Sequence, residues 1–173
     1  MKRWFLLLAA PLLICATNGI TPVAVPVGSD AARATAHLVK SVLEYTRWPK
    51  RREVINLCVV GEARFGEGFP HASLDNGVPI RRRSFTQFDS AAASACDALY
   101  LGKIELGRAR QWNALVRGTP VVTIAEHDPQ CISEAMICLI YGRNSLSFEL
   151  NVDAVARSKV RIDPWIFRMA RGL

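Results

Sequence analysis

Histidine is scarce in this chain, three in 173 residues, and His37, His71 and His127 fall in unrelated segments. No H-x-x-x-H, H-E-x-x-H or G-x-S-x-G spacing occurs, so the zinc-peptidase and serine-hydrolase signatures are missing. There is no Cys-x-x-Cys pair, because Cys131 and Cys138 stand seven apart, and this removes the thiol-oxidoreductase motif. Gly61, Gly66 and Gly68 are spaced G-x4-G-x-G with no Gly-Lys-Ser/Thr after them, which fits neither a dinucleotide fingerprint nor a P-loop. A turn at a strand end needs glycine for backbone reasons alone. His127-Asp128 beside Cys131 lacks the close cysteine pairs and the ligand number of a tetrahedral metal site, and reads as exposed loop. With no catalytic constellation, the chain reads as a non-enzyme with no cofactor and no metal. Low-complexity tracts and internal repeats are also lacking while half the residues are hydrophobic, which excludes disordered and fibrous classes.

An apolar run of about 20 residues, the length a membrane-spanning helix needs, is missing too. What stands instead is Met1-Lys2-Arg3 followed by the apolar stretch Trp4–Ala16, the form of a secretory signal peptide. Cleavage after Ala16 or Gly19 places a signal peptide over 1–19. Ile14 before Cys15 is bulky where a lipobox needs a small residue. No second apolar run follows, so the expectation is an exported, soluble protein without membrane insertion after signal removal. Its compartment permits disulfides. Loss of Lys2 and Arg3 lowers the formal net charge from +7 to about +5. That balance favours acidic surfaces of any kind and selects none.

The remaining length suits one domain with a substantial core. Residues 20–30, rich in proline and valine, read as a flexible leader, and 31–173 as the domain. Ser29 or Asp30 can cap a helix over about 31–47, with a stripe of Leu38, Val39, Val42, Leu43 and Thr46, ended by Pro49. Trp48 is read as packing against the sheet. Val54–Gly61 is apolar at both parities, as in a strand buried on both faces. Val78–Phe85 carries Arg81 and Arg83 on one face and Arg82 on the other, and a strand charged on both faces belongs at a sheet edge. Ala98–Gly102 and Pro120–Ala125 are further buried strands, and Glu105–Arg117 is a helix turning Ala109, Trp112 and Val116 inward, closed by Gly118. This alternation is that of a wound α/β sheet. Beyond the 127–137 loop, Ile137–Tyr141 and Ser145–Leu150 form a hairpin, the second strand buried on one face only. Asn151 caps a short helix at 152–157, and Asp163-Pro164 starts a last helix through about Arg171. The fold class is therefore α/β: one domain with a central, mixed but largely parallel sheet, helices on both faces, and a C-terminal hairpin plus two short helices.

Several of these segments, namely LVKSVLEYTRWP at Leu38–Pro49, LCVVG at Leu57–Gly61, CDALYLG at Cys96–Gly102, VVTIA at Val121–Ala125 and SFELNVDAVARSKVRIDPWIFRMA at Ser147–Ala170, resemble the YfiR family of periplasmic proteins. The resemblance spans nearly all of the mature chain, and its last segment is the most specific. It implies an exported repressor that binds the periplasmic domain of an inner-membrane diguanylate cyclase of the YfiN type. Such binding keeps cyclic di-GMP low and limits biofilm formation. It also implies a YfiB-type, OmpA-like outer-membrane lipoprotein that relieves repression by sequestration, leaves a homodimer open, and involves no nucleic acid. The family's cysteines carry over as Cys58, Cys96, Cys131 and Cys138.

Four mature cysteines allow three pairings. We expect Cys58–Cys96, which a wound sheet can set side by side, and Cys131–Cys138, which closes a short loop. The segment from Glu149 to Met169 has more apolar surface than two short helices can bury against one sheet. Trp165, Phe167 and Met169 are therefore candidate partner contacts, with Glu149, Arg157 and Arg168 as a charged rim. These aromatics can equally cap the bottom of the core. The rival reading is a periplasmic small-molecule sensor using the crevice at the carboxyl ends of the strands, lined by Gly61–Phe65, Gly102–Glu105 and Ala125–Asp128.

Overall fold

The computed structural model describes residues 19–20, 25–26, 31–64, 72–143 and 145–169, with side chains given through 167. Residues 1–18 of the expected signal peptide, and His71, lie outside the described residues. The short strands β1 (Gly19–Ile20) and β2 (Val25–Pro26) precede helix α1 (Ala31–Glu44) and β3 (Thr46–Arg47). Then come β4 (Ile55–Val60), β5 (Ile80–Phe85), α2 (Ala92–Ala95), β6 (Ala98–Leu101), α3 (Leu106–Val116) and β7 (Val122–Ala125). The chain closes with β8 (Ile137–Tyr141), β9 (Ser145–Asn151), α4 (Val152–Ala156), β10 (Arg161–Ile162) and α5 (Ile166–Met169).

One sheet organises the molecule, in the order β1-β9-β8-β7-β6-β4-β5, with β2 also on β9. The five strands β5-β4-β6-β7-β8 run parallel and β9 returns antiparallel to β8. Numbered along the chain, the parallel set has the 2-1-3-4-5 order of doubly wound sheets, with the direction of winding reversing between β4 and β6. Every residue of β6 and of β7 is buried, as strands covered on both faces require. One face, with Leu57, Val59, Tyr100, Ile124, Leu139 and Phe148, meets the apolar stripe of α1. The other, with Cys58, Val60, Leu99, Leu101 and Ala125, meets α3 through Ala109, Trp112 and Val116. β5 is the edge strand, paired to β4 alone among the described strands, and Arg81, Arg82 and Arg83 are exposed on it.

Several expectations change. α1 stops at Glu44 instead of 47, because Thr46 and Arg47 leave the helix to pair with Ile162 and Arg161 in a two-stranded ribbon. Thr46 stays buried by donating its hydroxyl to the Val42 carbonyl at 2.7 Å, so its place on the stripe survives without the helix. β1, at the junction of the expected signal peptide and leader, and β2, within the expected leader, pair antiparallel with the two ends of β9. Ser147, assigned to a solvent face, is buried among its neighbours. Between β4 and β5 the described residues hold no helix; Ser73 and Pro79 form an antiparallel bridge instead. α5 starts at Ile166, after a turn in which Asp163 Oδ1 accepts the Trp165 N–H at 3.0 Å.

The β7–β8 connection is the unusual one. A parallel pair needs a crossover, normally a helix, yet here the 126–136 segment is a loop. α3 grips it at helical spacing: Arg110 Nε donates to the Ile132 carbonyl at 2.9 Å, Asn113 Nδ2 to the Ser133 carbonyl at 2.7 Å, and Arg117 pairs with Glu134. Cys131 and Cys138 are disulfide-bonded across the loop, Cα–Cα 5.4 Å, and Cys58 is bonded to Cys96, Cα–Cα 5.8 Å.

Candidate functional site

The C-terminal surface is built from a change of backbone direction. Asn151 ends β9 and its Oδ1 accepts the Ala154 N–H at 2.9 Å, capping α4. β10 then turns back onto β3, and the Asp163-Pro164 turn launches α5. Among the described side chains of α5, Ile166 is buried, at 1% exposure. Phe167 also turns inward, its ring stacked on Phe148 at 5.9 Å with 23° between planes. Trp165 does the opposite and stands 56% exposed. Core capping and surface display, the two readings of these aromatics, are thus divided between neighbouring residues. Of the rim, Arg157 is exposed and pairs with Asp153 at 2.6 Å, while Glu149 is half-buried on β9 opposite Cys138. The Arg168 and Met169 side chains lie outside the described residues.

The crevice between β4 and β6, where a wound sheet of this order would hold a ligand, is crossed by backbone. Glu62 and Lys103 form an antiparallel bridge, and the Lys103 N–H donates to the Glu62 carbonyl at 2.8 Å. Gly102 has no space for a side chain: a Cβ there would lie 2.4 Å from the Glu62 oxygen. Gly61, at φ +76°, takes the left-handed turn that lets the two loops meet. Glycine in both loops serves this closure, and that requirement was not visible in the glycine spacing.

Next to the closed crevice, on the α1 side, lies a polar cluster that sequence reasoning missed. Tyr100 and Glu126 are buried from β6 and from the end of β7, and half-buried Tyr141 ends β8. Thr35 of α1 donates its hydroxyl to the Ala31 carbonyl at 2.8 Å and lies 2.9 Å from the Tyr141 hydroxyl. Burial, with the neighbouring Glu126 charge adding to it, pushes the Tyr100 hydroxyl far above its ordinary range. Tyr141 is pushed up to about 12 by burial, against a smaller downward pull from the Thr35 hydrogen bond. Both hydroxyls therefore stay protonated through the physiological range. His127 Nε2 lies 3.8 Å from Glu126 Oε1 and is exposed on its other side.

Asp128, expected to be exposed, is buried at 7%. Its two carboxylate oxygens accept the N–H groups of Ile132 at 2.9 Å and Ser133 at 2.7 Å, which folds the crossover loop onto it. A metal reading of Asp128, Cys131 and Cys138, whose ligand atoms lie within 4.8 Å of one another, fails on chemistry. The two sulfurs are bonded to each other and no thiolate remains to ligate. His37 and His127 are exposed in separate segments. Among the described residues no helix is long and apolar enough to cross a membrane.

With this geometry described, one comparison with known proteins bears on it. The family model described as YfiR/HmsC-like matches residues 32–171, from the second residue of α1 to beyond α5.

Proposed function

We propose a regulatory role at the inner membrane for this chain, which belongs to the YfiR/HmsC-like family. The family and the two disulfides suit a periplasmic regulator of cyclic di-GMP signalling. In the finer reading, the protein binds the periplasmic domain of a YfiN-type diguanylate cyclase and represses it. An OmpA-like outer-membrane lipoprotein of the YfiB type relieves that repression by sequestering the protein.

The observation that carries this reading, beyond the family itself, is the exposure of Trp165 on a turn held at both sides. Asp163 and Ile166 fix the backbone, so the indole is displayed without its own burial to anchor it. A large aromatic presented rigidly at the surface is the kind of anchor that dominates protein interfaces. The small-molecule sensor reading has less support, since backbone closes the crevice it would use.

Co-purification tests the proposal. The mature protein is expected to sediment with membranes carrying a YfiN-type cyclase and to lower cyclic di-GMP in those cells. Equal recovery from membranes lacking the cyclase would count against it.

A further inference from the structure

At the amino ends of β4 and β5, opposite the closed crevice, the structure has an open cleft that none of the foregoing uses. Its walls are the 51–53 segment on one side and the 76–79 turn on the other, and it measures about 370 Å³. It runs into a second hollow of about 210 Å³ that shares Arg51, Arg52, Asn76 and Val78 with it. Leu43, Ile55, Leu74 and Val78 are the aliphatic residues lining the second part. The turn that forms the far wall is fixed to α1: Lys40 Nζ lies 2.7 Å from Asp75 Oδ1, and Glu44 Oε1 accepts the Asp75 N–H at 2.9 Å.

The charges around the cleft divide into committed and free ones. Arg52 is committed, its Nε 2.8 Å from buried Asp97. Glu44 is committed to the turn. Lys50 and Arg51 are exposed and make no ion pair among the described residues, and the strand leaving the cleft continues the positive field with exposed Arg81 and Arg83. Glu53 is the exposed carboxylate on the cleft wall. A concave slot with an aliphatic lining and a basic rim does not fit a flat bilayer. A second copy of this chain would set like charges against each other. Nucleic acid supplies the charge but no aliphatic group for that lining.

We propose that this cleft is a docking site for an extended acidic segment of a partner protein, with carboxylates on the basic rim and an aliphatic side chain against the Leu74 and Val78 lining. Peptide recognition by a charged rim and an apolar pocket follows from the ordinary division of labour at interfaces.

The test uses the whole mature protein and a short fluorescein-labelled peptide of alternating glutamate and leucine, followed by fluorescence anisotropy. Lys50→Glu combined with Arg51→Glu is expected to weaken binding about tenfold, with the melt unchanged. A control pair of equal charge, Arg108→Glu with Arg143→Glu, is expected to bind as the parent does. Peptides alternating lysine with leucine, or glutamate with serine, are expected not to bind. Three results would overturn the proposal: no binding of the glutamate–leucine peptide, equal weakening by the control pair, or tighter binding to phosphatidylglycerol vesicles or single-stranded DNA than to the peptide. The assay contains no cyclase, so its outcome is independent of the repressor reading.

Discussion

At the residue scale, Asp97 ties the entry of β6 to β4 and to the segment before it. It sits at the entry of β6, and its Oδ2 accepts both the Asn56 N–H at 2.9 Å and Asn56 Nδ2 at 3.0 Å, while Oδ1 faces Arg52. Its carbonyl accepts the indole N–H of Trp48 at 3.2 Å, which fixes that ring against the sheet. Asp97→Ala leaves Arg52 and the Asn56 N–H without their acceptor. It is expected to cost about 3 kcal/mol, read from the urea midpoint at unchanged slope; a loss near zero would mean that water replaces the carboxylate fully. The two tyrosines supply a pH prediction. An unfolded tyrosine ionises near 10, whereas Tyr141 holds its proton to about 12 and Tyr100 beyond that. Between those limits the unfolded chain releases protons that the folded chain keeps, so stability is complete below about pH 10 and declines as pH rises toward about 12. Tyrosinate absorbance is expected to show part of the chain's tyrosine unionised while the far-ultraviolet spectrum is still native. A single titration of all tyrosine near 10 in folded protein would contradict this.

At the scale of elements, the two disulfides serve different structures. Cys58–Cys96 spans 38 residues and ties β4 to the entry of β6 beneath α3, whereas Cys131–Cys138 spans seven and closes a crossover loop already held by Asp128 and α3. On the chain-entropy account the long loop contributes about 4 kcal/mol and the short one about 2. Replacing Cys58 and Cys96 by serine should therefore lower the urea midpoint clearly more than replacing Cys131 and Cys138. The second change should show itself chiefly as faster amide exchange over 127–138. Equal losses of stability would remove the distinction. The elements also show which signals the sequence carries. Strands buried on both faces are legible because no parity is polar: Leu57–Val60 and Ala98–Leu101 are as apolar as their burial demands. The arginines of β5 likewise announce an edge. α1 was read three residues too long because Thr46 keeps the helical period while its backbone serves β3, a long-range pairing with β10 that no local pattern records. Asp128 was misjudged for a related reason: a buried aspartate whose oxygens bind loop N–H groups looks the same in sequence as an exposed one.

At the scale of the whole molecule, the parts divide by end. The crevice at the carboxyl ends of β4 and β6, where a wound sheet would bind a ligand, is bridged by Glu62 and Lys103 and lies beside the Tyr100–Glu126–Tyr141 cluster. Among the described residues, the exposed indole of Trp165 and the basic cleft beside Lys50 and Arg51 lie away from that crevice. A crevice bridged by backbone between β4 and β6, together with an aromatic and cations displayed on the periphery, supports the proposed role in contact with other proteins. Composition carried that conclusion only as far as a net positive charge; the division of Trp165 from Phe167 needed the fold, because both residues belong to one apolar run. The central claim is that the C-terminal surface binds the repressed cyclase. Its most direct test is a paired measurement, in one strain, of melting temperature and cellular cyclic di-GMP for Trp165→Ala and Phe167→Ala. Phe167→Ala removes the half-buried ring that stacks on Phe148 and should cost about 2 kcal/mol of stability. Trp165→Ala should leave the melt within about 0.5 kcal/mol of the parent and raise cyclic di-GMP to the level of a strain without the protein. If Trp165→Ala keeps both its melt and its repression, the interface lies elsewhere.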